Sequence, residues 1–276
     1  MMSSLSIALI HNNQVDRLAH VRPAIKDLAI ALGDRFHVDA FEICWQPDVK
    51  SHGLFNALMR DGLYRHLARE WAVYRKIGIS PFARDWVSFL KYALRKYLLR
   101  KSERLVWQRN SAIEMIVTAK HMRAWEVFVE SNADYLLVFE DDVRFRPDTI
   151  ARFNDQVIPT IRSLGNRALY VNLAGGCQYE DLRIEKLESK RNGDLVFYSK
   201  PVTNTACAYL INKSLVKKFV SKLVEQPLLR LIGIDWLMNK LFISMGDDAE
   251  KCVCVHFYPT IFDHGSFTGQ YISWQK

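Results

Sequence analysis

The sequence predicts an α/β domain organised on a parallel sheet, with a basic helical segment inserted into it. Three observations carry that prediction. Residues 6–44 read strand, helix, strand, the signal of a parallel βαβ unit. An apolar run at 135–139 stops abruptly in Glu140, Asp141 and Asp142, as a buried strand does where it meets a ligand-facing loop. Positive charge is gathered in one place: residues 60–109 hold 13 Lys and Arg against 4 Asp and Glu, so the whole net charge of +8 resides there.

The composition bounds the class. With 276 residues, 49% of them hydrophobic and 25% charged, the chain is long enough for a sizeable core and is neither disordered nor collagenous. Its 5 cysteines are odd in number, scattered and without a CxxC pair, so neither a disulfide scaffold nor a structural zinc site is expected. Reduced thiols point to the cytosol. The opening Met1-Met2-Ser3-Ser4 has no positive charge, and the apolar run from Leu5 ends at His11-Asn12-Asn13, too short for a signal peptide or a membrane span. A cytoplasmic protein is the expectation.

Each element follows from its pattern. Residues 6–10 are an apolar run closed by polar residues, a buried strand. Leu18, Val21, Ile25, Leu28 and Leu32 recur at helical spacing and stop at Gly33. Phe36, Val38, Ala40, Phe41 and Ile43 suit a second strand. In the basic segment Trp86, Phe89, Leu90, Ala93, Leu94, Tyr97 and Leu98 fall on one helical stripe with lysines and arginines around it. Helices are predicted at 111–131, 148–164, 215–223 and 234–242, and strands at 135–139, 168–173, 195–199, 205–211 and 253–257, with a polar hairpin-like stretch at 181–194. No internal repeat or flexible linker divides the chain, which is expected to form one domain over 1–276 with the insertion at about 50–110.

The acidic triplet carries the chemistry. Alternation along a strand puts Glu140 and Asp142 on one face and Asp141 on the other. Two carboxylates on one face suit a hard divalent cation that keeps water and phosphate oxygens as further ligands. The alternative is a solvated strand end with no cation.

The residues around this triplet resemble a known family. Thr118-Ala119-Lys120-His121-Met122-Arg123-Ala124-Trp125, followed by Tyr135 to Phe139 and Glu140-Asp141-Asp142-Val143, is similar to the signature of glycosyltransferase family 25, the lipooligosaccharide-type sugar transferases. Residues 7–17, Thr203 to Leu210 and Gly233-Ile234-Asp235-Trp236 resemble further family elements in the same order, while residues 50–110 fall outside the likeness. The resemblance implies a GT-A-like fold with a Rossmann-like nucleotide-binding half. It also implies a nucleotide-sugar donor, UDP-galactose being the family's commonest type, and inversion at the anomeric carbon. Donor contacts would fall on Asn12 and Arg17, although this chain reads His11-Asn12-Asn13-Gln14 where the family has an Asn-Leu pair.

Roles follow from the chemistry of sugar transfer, which needs charge stabilisation of a leaving diphosphate and a base for the acceptor hydroxyl. Manganese or magnesium held by Glu140 and Asp142 would meet the first need, with His264 as third ligand. Asp141 would reach the ribose or donor sugar, and Ser266 and Thr268 the phosphates. His264 has the alternative of bonding a carbonyl, and Ser266 and Thr268 that of shaping a turn. Asp235 is the expected base, or a helix N-cap, with Asp247 and Asp248 as substitutes. Trp236 would stack on a sugar or join the core. His121 lies four residues from Trp125 on one helix face and would touch the acceptor, or else pack beneath the strand. Cys252 and Cys254 read as core.

The expected partners are a UDP-sugar and a glycan or glycolipid acceptor such as a lipooligosaccharide core. Residues 60–109 would add peripheral contact with an anionic inner membrane face, bind the acceptor's phosphates, or simply pack with their charges in water. No nucleic-acid partner is expected. The rival activities are a metal-dependent nuclease or phosphoesterase using the triplet and the basic stretch, and a non-enzymatic adaptor for membrane or nucleic acid.

Overall fold

The computed structural model describes residues 2–45, 112–175, 188–203, 205–231 and 233–271. The predicted basic helices of the insertion, and residues 181–187 of the stretch at 181–194, lie outside the described residues.

An eight-stranded mixed sheet organises the described residues, in the order β2-β1-β3-β8-β5-β9-β7-β6. Its strands are β1 Ser4–Ile10, β2 His37–Ile43, β3 Tyr135–Glu140, β5 Leu169–Asn172, β6 Ser189–Asn192, β7 Leu195–Tyr198, β8 Ala208–Asn212 and β9 Val253–Phe257. A separate two-stranded ribbon joins β4 Val143–Arg144 to β10 Asp263–His264. β1 pairs in parallel with both β2 and β3, as the opening βαβ pattern requires. These three parallel strands form a Rossmann-like unit on one side of a mixed α/β sheet. β8 then enters antiparallel between β3 and β5, and β5 pairs in parallel with β9.

The alternation of side chains along the central strands builds a core on each face. Ile7, Leu9, Leu137 and Phe139 pack with Leu18, Val21 and Ile25 of helix α1 (Val15–Leu32) and with Phe153, Val157 and Ile161. Ala8, Ile10, Leu136 and Val138 pack on the other side. They meet Trp125 and Phe128 of α2 (Ala112–Glu130), Phe219 of α5 (Lys213–Glu225) and Leu237 of α6 (Ile234–Ser244).

Three details depart from the periodicity. The helix expected at 148–164 is α3 (Thr149–Arg152) and α4 (Ile158–Leu164) joined by a π-helical turn at Phe153–Val157. The apolar pattern conceals that turn because Phe153, Val157, Ile158 and Ile161 are all buried. β8 starts at Ala208 rather than 205, because Thr203 Oγ donates to Thr205 O at 3.2 Å and Cys207 N–H to Thr205 Oγ at 3.3 Å, locking a local turn. A short helix, α7 (Asp247–Glu250), follows α6 where no periodic signal announced one.

Candidate active site

Four chain segments meet where β1 and β3 end. The register sets Ile10 opposite Glu140, so the turn into α1 and the acidic triplet leave the sheet side by side. Because β8 is antiparallel, its first residues lie against the last of β3, and Glu140 N–H donates to Cys207 O at 2.9 Å. The β4–β10 ribbon pairs His264 with Val143, which brings the loop at 263–271 over the same end. Gly265 is required there. A Cβ would stand 2.7 Å from Asp142 O and 2.4 Å from the Tyr271 ring, closer than side chains pack.

The three carboxylates turn to three different elements. The strand ends at Glu140 and the chain turns at 141–142, so strict alternation lapses at the triplet. Asp141 faces α1. Arg17 Nη1 donates to its Oδ1 at 2.8 Å, with both side chains only 7% exposed, and Asn12 N–H donates to Oδ2 at 3.3 Å. The Asn12 side chain accepts from Lys120 Nζ at 2.6 Å, and Lys120 also donates to His11 O at 2.5 Å. Burial lowers the Lys120 pKa while the charge of Asp141 opposes that shift. Two buried cations therefore surround one carboxylate. The residues expected at the donor, Asn12, Arg17 and Asp141, are brought together. The guanidinium of Arg17 also lies 4.9 Å from the centre of the Tyr271 ring, which Arg144 flanks at 5.2 Å.

Glu140 faces α2. His121 Nε2 lies 3.0 Å from Glu140 Oε1, His121 Nδ1 lies 2.9 Å from Tyr209 Oη, and Trp125 Nε1 lies 3.0 Å from the same hydroxyl. The indole is only a donor, so the Tyr209 oxygen accepts from it. The neutral His121 ring then bridges Tyr209 Oη and Glu140 Oε1, donating to one and accepting from the other. Burial lowers the His121 pKa to about 3, against the opposing charge of Asp235, and keeps the ring neutral. Burial and the charge of Asp142 both raise the Glu140 carboxyl. His121, expected to touch the acceptor, is instead fully buried and positions Glu140 from beneath.

Asp142 faces the β10 loop. Ser266 Oγ donates to its Oδ2 at 2.6 Å, Cys207 Sγ lies 3.5 Å from Oδ1, and His264 Nδ1 lies 3.5 Å from Oδ2. His264 Nδ1 is buried and makes no hydrogen bond to any described residue. The alternative in which this histidine bonds a carbonyl through Nδ1 is therefore not what the loop builds. Burial, and then the charges of Asp142 and Glu140, push the Cys207 thiol well up, so it stays a donor. Among the described residues, the group spaced to hold a cation is Asp142, Cys207 and His264, their ligating atoms all within 4.8 Å of one another. Glu140, expected as a ligand with Asp142, is absent from that trio because its carboxylate turns to α2. Ser266 supports Asp142, and Thr268, also expected at phosphate, donates to Gly265 O at 3.2 Å within its own loop.

Asp235 reaches the same interior from the other side. It sits in the first turn of α6, whose N-cap is Gly233, so it does not serve as the cap. Its charge acts on both His121 and Cys207. Asn239 holds this turn to the segment before β8: it accepts from Thr203 N–H at 2.9 Å and donates to Thr203 O at 2.7 Å and to Asp235 O at 3.0 Å. Trp236 is half-buried beside the core. Asp248, a substitute for the base, is bonded on the surface to Lys251 at 2.8 Å, and lies 3.5 Å from Lys218. Cys254 is core, as expected, its thiol 3.1 Å from Val202 O. Cys207, Tyr209 and Tyr271 are the residues of this region that the sequence reading left unassigned. The orientation of β8 was the missing signal for the first two.

Acidic, imidazole and cationic groups thus gather at the carboxyl ends of β1 and β3, where open α/β sheets bind their ligands. Residues 114–238 match glycosyltransferase family 25 (LPS biosynthesis protein), a stretch that runs from α2 through the triplet, Cys207 and Tyr209 to Asp235. Over that stretch the chain carries the sequence of this glycosyltransferase family. A solved structure described as a glycosyltransferase involved in the glycosylation of the major capsid of PBCV-1 is similar at a TM-score of 0.42 and 9% identity, over 95% of this chain and 92% of that chain. No curated protein sequence matches this chain.

Proposed function

We propose that the protein is an inverting hexosyltransferase that moves a sugar, with galactose from UDP-galactose as the first candidate, onto a hydroxyl of a surface glycan such as a lipooligosaccharide core. The observation that supports this most is the convergence, inside and beside the family-matched stretch, of Asp142, His264 and Asp235 on one end of the sheet. The buried carboxylate of Asp142 and the imidazole Nδ1 beside it without a hydrogen bond fit a divalent cation. Such an ion, once bound, supplies charge neutralisation for a leaving diphosphate.

The protein's own groups account for the remaining requirements. Arg17 and Lys120 bring positive charge to the turn after β1, and Asn12 and Asp141 hold that turn in place. The acceptor oxygen attacks the anomeric carbon as the bond to the diphosphate breaks, the leaving group keeping the bonding electrons. Asp235 takes the acceptor's proton. Glu140, held by His121, keeps the floor of the site fixed. The chain would act as one domain over 1–276, peripheral to the inner membrane face through residues 60–109; no helix among the described residues is long and apolar enough to cross a membrane. The phosphoesterase alternative is not favoured, because the three carboxylates diverge rather than form a paired-cation cluster.

The test is a donor screen with purified protein, manganese and a panel of UDP-, GDP- and CMP-sugars, following nucleotide release. Slow hydrolysis of one UDP-sugar, abolished by chelator and by Asp142→Asn, is the expected result. Failure to bind or turn over any donor, with tight binding to DNA or anionic vesicles, would overturn it.

A further inference from the structure

We infer that Cys207 is a thiolate ligand in a three-donor site with Asp142 and His264, and that this site takes a thiophilic transition-metal ion in preference to magnesium. The inference deepens the proposed transferase and rests on this end of the sheet being its donor site. The family resemblance led to oxygen and nitrogen ligands only, from Glu140, Asp142 and His264. The tertiary structure substitutes sulfur for one of those oxygens.

The spacing is that of a cation site before its ion. In tetrahedral coordination, metal–oxygen and metal–nitrogen bonds of about 2.0 Å and a metal–sulfur bond of about 2.3 Å put neighbouring donor atoms roughly 3.3–3.5 Å apart. Here Cys207 Sγ lies 3.5 Å from Asp142 Oδ1 and His264 Nδ1 lies 3.5 Å from Asp142 Oδ2, and one ligating atom from each of the three residues falls within 4.8 Å of the others. Binding an ion draws these donors inward onto it. Two neighbours hold the geometry: Ser266 Oγ donates to Asp142 Oδ2, and Gly265 N–H donates to Asp142 O at 2.8 Å.

The donor set decides the ion. Magnesium prefers oxygen and near-ideal octahedral geometry, and neither a thiolate nor an imidazole suits it. Zinc, cobalt and other late divalent ions accept carboxylate, imidazole and thiolate together. On binding, the thiol proton that now points at Asp142 passes to solvent as the metal–sulfur bond forms. Three protein donors leave an open coordination position, the arrangement of catalytic rather than structural sites. A donor phosphate oxygen is the natural occupant.

The experiment uses full-length protein stripped with chelator and titrated with Co2+, read by absorption. The expected result is a near-ultraviolet thiolate-to-cobalt charge-transfer band with visible ligand-field bands, displaced by Zn2+ and not by a large excess of Mg2+. Cys207→Ser should lose the near-ultraviolet band, with circular dichroism confirming its fold. Because Cys207 is fully buried and its replacement disturbs the core, His264→Gln in the half-buried loop provides a second measure and should weaken Co2+ binding at least ~10-fold. Bound Co2+ without the charge-transfer band, displacement by equimolar Mg2+, or no Co2+ binding would each overturn the inference. Nucleotide release that is equal with Mg2+ and Co2+ and unchanged in Cys207→Ser would also overturn it, while leaving the transferase standing. A charge-transfer band in protein that binds no sugar nucleotide would uphold the metal site and remove the transferase.

Discussion

Asp141 and Asp142 are neighbours in sequence and opposites in environment. Asp141 is held by a buried guanidinium at 2.8 Å, with the Lys120 ammonium close behind. Asp142 is held by a hydroxyl and a thiol and has an imidazole beside it, all formally neutral groups unless the ring is protonated. A carboxylate whose charge is met by buried cations serves the architecture. One whose neighbours are neutral donors retains charge for something that arrives later. The difference teaches that an acidic triplet is not one functional unit, since each carboxylate is defined by the element it turns to.

Four substitutions would break or sharpen that contrast. Asp141→Asn should give the largest loss, about 3–5 kcal/mol of stability, because it leaves Arg17 buried without its carboxylate. Urea unfolding measures this, and pairing Asp141→Leu with Arg17→Met should restore most of it. Asp142→Asn should do the reverse. Its melting temperature should stay near that of the parent, while nucleotide release falls by roughly 100-fold or more. If Asp142→Asn proves the less stable of the two, the contrast is wrong.

Tyr209→Phe comes next. It removes the hydroxyl that joins Trp125 to His121 and leaves two buried polar atoms with one partner fewer, an expected cost of about 1–3 kcal/mol. It also removes one of the two hydrogen bonds that orient the His121 ring beneath Glu140, so kcat should fall more than KM rises. An unchanged kcat in a destabilised variant would reduce this relay to packing. Last is a pH effect away from the triplet. Burial lowers His256 to about 3, so the folded protein keeps the ring neutral while the unfolded chain protonates below about 6.5. Stability from this group is present at neutral pH and lost as pH falls from about 6.5 towards 3, at about 1.4 kcal/mol per unit. The stability of His256→Asn should therefore decline less steeply with acid than the parent's over pH 6 to 5. Parallel declines would show that His256 is not the group responsible.

Much of this architecture was legible from the residues. Short apolar runs and 3.6-residue periodicity placed β1, α1, β2, α2, β3 and β9, since strands buried on both faces and helices buried along one stripe force such patterns; β2 is largely exposed and was placed by its apolar residues alone. The end of β3 in three carboxylates marked the site itself. The direction of β8 was not legible, because an apolar run of this length looks the same parallel or antiparallel. That direction puts Cys207 against Asp142 and Tyr209 against His121.

Sequence alone determined the α/β class, the acidic strand end, the likeness to family 25 over the central part of the chain, and the concentration of charge at 60–109. These are properties of composition and local order, which a chain carries before it folds. Tertiary structure alone decided which carboxylate meets cations and which meets neutral donors. It also decided that a thiol 65 positions from Asp142 comes within 3.5 Å of it, and that His121 supports the site from inside. Those outcomes depend on strand direction and on where a nine-residue loop closes, and neither is encoded in the spacing of residues along the chain.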